Sequence, residues 1–117
     1  MRVFVYWNLH RGMWSVKALE GPDKGRVIAR HQHVIVRNAR GKVSEAGRQR
    51  VLRERKKNVH AGIVGELVAA DVVELSPHAR KVTYNPFKYS TFVYEDDETP
   101  FEECSTAVLL HKRVYAA

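Results

Sequence analysis

Seven of the twenty residues from 42 to 61, KVSEAGRQRVLRERKKNVHA, carry a fixed positive charge, against two acids, Glu45 and Glu54. Such a density suits an anion. Arg meets phosphate or carboxylate through two parallel N–H···O bonds, and Lys meets it as a point charge. Spacing decides which groups act together. At 100° per residue, Ser44, Arg48, Val51, Leu52, Arg55 and Val59 share one stripe of a helix, and Arg50, Arg53 and Lys57 lie opposite. The inner stripe faces a core, where an arginine is rarely buried without a partner. Arg48 and Arg55 therefore have three readings: ion pairs with sheet carboxylates such as Glu66 or Asp71, a place at the edge of the stripe with their stems packed, or a pocket wall that forks onto a phosphate. The outer stripe reads as a solvated face, partly neutralised by an Arg50–Glu54 pair. Its alternative reading is a grip on nucleic-acid phosphates.

A second constellation is VTYNPFKYSTFVY, residues 82–94, in which aromatic rings alternate with amide and cationic groups. A base can stack on such a ring while an amide reads its edge. Asn-Pro marks a turn, so Asn85 and Phe87 are the accessible members, with Tyr84 beside them; an ordinary sheet core has the same composition. Asn58 and His60 lie at the helix-to-strand junction, where His60 either orients a ligand or bonds a helix-end carbonyl. His31 and His33 would share one strand face about 7 Å apart, but no Cys, Asp or Glu nearby in sequence completes a ligand set, so no metal is expected. GxSxG, P-loop, HExxH and GxGxxG patterns are absent. Cys104 follows Glu102 and Glu103, whose charge opposes a thiolate. The expectation is a protein without catalytic residues or a cofactor.

The elements that must position these groups are mostly strands. RVFVYW (2–7) and MWSVKAL (13–19) are β-rich and flank the turn formers Asn8 and Gly12, which predicts a hairpin. Arg2, Phe4 and Tyr6 point one way and Val3, Val5 and Trp7 the other, so both faces are largely apolar. After the turn cluster at 20–25, residues 26–38 predict a long strand or a bent pair, ended by Ala39-Arg40-Gly41. Ser44 is a natural N-cap and Glu45 complements the dipole, although Gly47 breaks the capping box. The helix is predicted over about 45–57, with Asn58 as its stop. Residues 59–75 read as one or two strands with irregularities at Gly62 and Gly65, and GELVAADVVEL competes as a helix. Short strands follow at 81–87 and 90–96, and a closing strand at 104–116. The expected class is α+β: a mostly antiparallel sheet packed with one main basic helix, in a single domain.

Composition bounds the partners. Twenty Lys and Arg against thirteen Asp and Glu leave a net charge of +7, which favours anionic partners. A single cysteine rules out an intramolecular disulfide and suits a reducing compartment. No stretch approaches the roughly 18 apolar residues of a spanning helix, and MRVFVYWNLH lacks the pattern of a signal peptide. The sequence thus predicts a cytoplasmic protein with no membrane partner.

VSEAGRQRVLRERKKNVHAGIVGEL, with VYWNLHRGMWSVKAL before it and TYNPFKYSTFVY after it, resembles a family of small phage and prophage proteins. The resemblance extends to anti-defence sponges of the Thoeris-inhibiting kind, which bind cyclic ADP-ribose isomers or other cyclic nucleotides without cleaving them. It implies a homo-oligomer with nucleotide pockets near subunit interfaces, acting in the host cytoplasm. Two acidic residues in FEEC (101–104) are awkward neighbours for an anionic ligand. Three functions follow as expectations. In the first, a small anionic nucleotide is sequestered by Arg48, Arg55, Asn58, His60, Tyr84, Asn85 and Phe87. In the second, nucleic acid is bound through Arg50, Arg53 and Lys57. In the third, a host protein is inhibited through the two-sided N-terminal hairpin.

Overall fold

In the computed structural model, which describes residues 1–69 and 74–117, β1 (Arg2–Asn8) and β2 (Met13–Ala18) form the expected hairpin, with Gly12 in the left-handed region at φ 62°. Pairing of Val3 with Ala18, Val5 with Val16 and Trp7 with Trp14 gathers the apolar side chains on one face. Val3, Val5, Val16 and Ala18 have no solvent exposure. The other face of β1 carries Phe4 and Tyr6, half-buried and paired across to Lys17 and Ser15. Only one side of the hairpin therefore faces the core.

Residues 26–38 form a bent pair, β3 (Val27–His31) and β4 (His33–Val43), broken at Gln32. Ala39-Arg40-Gly41 does not end the strand, as its turn-like composition suggested. Asn38 adopts φ 48° where the register against the next strand slips between Arg37 and Arg40, a bulge that turns Ala39 into the core. The bulge absorbs the local irregularity, and β4 runs on to Val43. The remaining elements are α1 (Glu45–Glu54), β5 (Ala61–Val68), β6 (Arg80–Thr83), β7 (Val93–Tyr94), β8 (Glu103–Leu110) and β9 (Arg113–Ala116). The closing strand is thus a hairpin, turned at His111 with φ 55°. The expected strand 90–96 shortens to two residues. Gly62 and Gly65 lie inside one strand, β5, and the expected irregularity occurs at Gly65, which faces the β4 bulge where the register slips between Arg37 and Arg40; residues 70–73 of the 59–75 reading lie outside the described residues.

All strands join one antiparallel sheet in the order β3-β2-β1-β5-β4-β8-β9-β6-β7. The α+β class is corrected by this architecture: the fold is sheet-dominated, with one short helix among the described residues. The reason is burial. Of the ten helical residues only Val51 is buried, so α1 occupies the β4–β5 connection and does not form a layer. The core is instead the sheet's inner face. Val5 and Trp14 from one end join Val82 and Val114 from the other, with Phe92 and Phe101 from the β6–β8 connection, in one apolar cluster. The sheet therefore curls around its own core, leaving the opposite face outward. No helix among the described residues is long and apolar enough to cross a membrane.

Candidate functional site

The helix is fixed at both ends by local chemistry. The Ser44 hydroxyl accepts from the Gly47 N–H at 3.2 Å, and the Ser44 N–H donates to the His60 carbonyl at 2.7 Å, tying the helix start to the chain entering β5. Gly47, which breaks the capping box, has a packing reason: a Cβ there would lie 2.5 Å from the His60 Cβ. The helix ends earlier than the predicted residue 57. Arg55 takes the left-handed C-cap at φ 57° and its N–H returns to the Val51 carbonyl at 2.8 Å. Asn58 is thus not the stop. The arginine's own αL conformation satisfies an orphan carbonyl three residues sooner.

Arg48 and Arg55, assigned one stripe by periodicity, part company. The Arg48 side chain is only 17% exposed; its Nε donates to the carbonyls of Pro86 (3.1 Å) and Tyr89 (3.0 Å), and its Nη1 meets Glu45 at 3.2 Å. Opposite this guanidinium sit the backbone of a turn and a neighbour on its own helix. Glu66 instead pairs with the N-terminal ammonium at 3.2 Å, and Asp71 lies outside the described residues. Arg55 is exposed, its guanidinium 5.7 Å from the centroid of the Phe87 ring, within cation–π range.

The turn that Arg48 holds is built by Asn85. Its Oδ1 accepts from the Phe87 N–H at 2.9 Å, and its carbonyl accepts from the Lys88 and Tyr89 N–H groups at 3.0 and 2.8 Å. The amide oxygen is thereby engaged within its own turn, while Phe87 is left 56% exposed. His60 Nδ1 lies 2.8 Å from the Asn58 carbonyl and Nε2 lies 2.7 Å from the Tyr84 hydroxyl. A carbonyl only accepts, so Nδ1 carries a proton toward Asn58, and Nε2 is bonded to the Tyr84 hydroxyl. Burial pushes the Tyr84 phenol above its ordinary value, keeping it a donor. Arg48, His60, Tyr84 and Asn85 are thus brought together as the clasp that ties α1 to the 84–89 turn.

The outer stripe stands apart from this clasp. Arg50, Arg53, Arg55, Lys56 and Lys57 are all exposed, and among the described residues none of them forms an ion pair; the expected Arg50–Glu54 pair is not made. Arg50 and Arg53 line an open groove with Gln49. The cations of the next connection differ. Arg80 lies 3.7 Å over the Tyr94 ring and forks onto Asp96 at 3.1 and 2.8 Å, with Asp97 at 3.2 Å. Lys88 meets Glu98 at 2.7 Å, and the Tyr89 hydroxyl bonds the same carboxylate. The Arg80 guanidinium holds Asp96 below its ordinary value, and Lys88 does the same for Glu98.

Two features escaped sequence reasoning. One is the Arg80 clamp, whose partners are 16 residues away. The other is a cleft of about 210 Å³ on the outer sheet face, lined by Phe4, Lys17, Leu19, Lys42, Val59 and His60. Alternation separated Phe4 from Val3 and Val5 without saying which face is outward, and the approach of Lys42 needs the β4–β5 register. His31 and His33 flank the bend at Gln32, and no group of three or more metal-ligating side chains occurs among the described residues. Burial raises the Cys104 thiol above its ordinary value.

With this geometry in place, comparison with known proteins locates the chain. The family model described as "Mycobacterium phage L5 gene 82 protein" matches residues 1–117. The gene 82 protein of Mycobacterium phage L5 is 46% identical over 126 aligned residues, covering 100% of this chain and 96% of that protein. No solved structure matches the chain. A full-length family match and a relative at this identity agree, and the chain belongs to the Mycobacterium phage L5 gene 82 protein family.

Proposed function

We propose that this phage protein binds nucleic acid without catalysis, holding phosphates on Arg50, Arg53, Arg55, Lys56 and Lys57. One observation carries the reading: these five exposed cations lie within the eight residues from 50 to 57, and none of them forms an ion pair among the described residues. Exposed cations release counterions when they meet a polyanion, and that release drives binding. Phe87 beside Arg55 adds an exposed ring to the same end of the molecule.

Sequestration of a cyclic nucleotide, the role implied by the resemblance to Thoeris-inhibiting sponges, has less to draw on. Arg48 Nε, His60 Nε2, the Tyr84 hydroxyl and Asn85 Oδ1 are engaged within the chain. The open cleft beside Phe4, at about 210 Å³, is smaller than the roughly 300 Å³ at which pockets begin to bury a drug-sized ligand, and the groove of about 480 Å³ at Arg50 and Arg53 has no aromatic ring in its lining for a base to stack on.

The test is the salt dependence of duplex DNA binding, read by fluorescence anisotropy. Three to five phosphate contacts give a log–log slope of about −2.7 to −4.5, a loss of roughly 40- to 500-fold in affinity between 50 and 200 mM salt. No binding at 50 mM salt, or an affinity indifferent to salt, overturns the reading.

A further inference from the structure

The cleft on the outer sheet face is separate from the basic connection but borders it. Lys57 ends the cationic run, Val59 follows at 55% exposure as a wall of the cleft, and His60 closes the same side. The floor is the Phe4 ring. Phe4 pairs across β1–β2 with Lys17 and across β1–β5 with Val64, and its ring leans over the neighbouring Gly62. A Cβ at Gly62 would sit 2.7 Å from two ring atoms, so only glycine leaves the ring room to lie there. Lys42 pairs with Gly62 from the far side. The ring is thus held between two lysines, neither of which forms an ion pair among the described residues.

A second ring extends the platform. Tyr6 shares the outer face of β1 with Phe4, its centroid 5.9 Å away and its plane tilted by 34°. Aromatic rings on a strand face, flanked by cations, form a surface on which unpaired bases stack while the backbone runs over the charges. The size of the recess narrows the occupant. It accommodates one planar ring system, and a paired base inside a duplex cannot leave its stack to reach a recessed ring without the cost of unpairing.

We propose that this cleft takes one unpaired base of a single-stranded nucleic acid, stacked on Phe4 with flanking phosphates on Lys17 and Lys42, and makes the protein prefer single strands to duplex. The proposal rests on the nucleic-acid reading above and adds its substrate class. The strand leaves the cleft past Val59 onto the 50–57 run, so both sites act on one ligand. Duplex can use only the run.

Anisotropy titrations at a single salt concentration, with a labelled oligo-dT strand and a labelled duplex of equal length, separate the two levels. The native protein is expected to bind the single strand at least about tenfold more tightly. Phe4→Leu keeps an apolar side chain on the strand but removes the ring; it should weaken single-strand binding by about 5- to 150-fold and leave duplex binding unchanged. Phe4→Trp should restore the preference. Lys17→Gln with Lys42→Gln leaves the platform intact and should lower the single-strand salt slope by about 1.4. Equal affinity of the native protein for both ligands overturns the inference while leaving duplex binding in place. So does an equal loss on both ligands in Phe4→Leu, or an unchanged slope in the lysine pair. Failure of the native protein to bind either ligand overturns the inference and the function together.

Discussion

Two connections leave the same curled sheet, and they use their cations in opposite ways. The β4–β5 connection (44–60) places five cations in solvent with no acidic partner among the described residues. The connection running from β6 into β8 surrounds its cations with acids. Arg80 is sandwiched between Tyr94 and the Asp96–Asp97 pair, and Lys88 lies on Glu98. Arg48 is the exception that links the two, since it starts in the basic connection and ends on carbonyls of the other. The difference separates positive charge that builds structure from positive charge left in solvent, which the proposed function assigns to phosphates. Net charge alone blurs that distinction, because all eight groups contribute equally to it.

The largest expected effect breaks the comparison from the ligand side. Charge reversal of Arg50, Arg53 and Lys57 to Glu should abolish duplex binding, with more than about a 100-fold loss at 50 mM salt. The melting temperature should move little, since surface positions without partners usually change stability within about 0.5 kcal/mol. Arg80→Ala should do the reverse, lowering the melting temperature and leaving DNA affinity in place. Anisotropy and thermal melts on the same two samples decide it. If Arg80→Ala weakens binding as much as the triple reversal does, the division of labour between the connections is wrong.

Arg48 gives the next effect, on stability. Arg48→Ala leaves the Pro86 and Tyr89 carbonyls without their donor, and hydrogen bonds to charged groups contribute about 1.5–3 kcal/mol. A urea denaturation series should show a loss of that order. Arg48→Lys should recover only part of it, because an ammonium lacks the planar fork. Full recovery by lysine would mean that charge, not fork geometry, holds the clasp. Gly47→Ala comes below this. Alanine is favoured over glycine inside a helix by about 1 kcal/mol, but the contact with His60 opposes that gain. A clear increase in stability would show that His60 yields easily and that the clasp is loose.

Legibility followed sequence distance. The first hairpin, the Ser44 cap and the bend between β3 and β4 rest on neighbours a few residues apart, so alternation and turn chemistry expose them. The helix end was misplaced because Asn58 has the usual left-handed tolerance, yet Arg55 takes that conformation. The wheel paired Arg48 with Arg55, but a helix ending at Glu54 leaves Arg55 outside its own stripe. The fold class failed for a related reason. A charged ten-residue helix dominates the eye in sequence, while only Val51 of it reaches the core. The Phe4 cleft and the Arg80 clamp depend on pairings that the chain closes 13 to 60 residues apart, and no local pattern encodes those.

The smallest effect concerns pH and touches only one of the two connections. Asp96, Asp97 and Glu98 are all held below their ordinary values: Asp96 by Arg80, Asp97 chiefly by hydrogen bonds from Thr99, and Glu98 by Lys88. A depressed folded value means that the contribution to stability is complete above the unfolded value and is lost as pH falls through the folded one. The window therefore opens below the ordinary value of 4.5 for Glu98 and below 3.8 for Asp96 and Asp97. These groups lie in solvent, so each contributes little, and salt screens them further. Acidification from pH 6 to pH 3 should accordingly lower the protection of the amides at 94–99, measured against the intrinsic exchange rate at each pH, with Thr99 responding as Asp97 loses its charge. The 45–55 helix should respond less, because only Glu45 at its start is similarly lowered, chiefly through Gln49. In 0.5 M salt the contrast should shrink. If both connections loosen together at the same pH, acid is unfolding the sheet that carries them, and the clamp at Arg80 is not an independent unit.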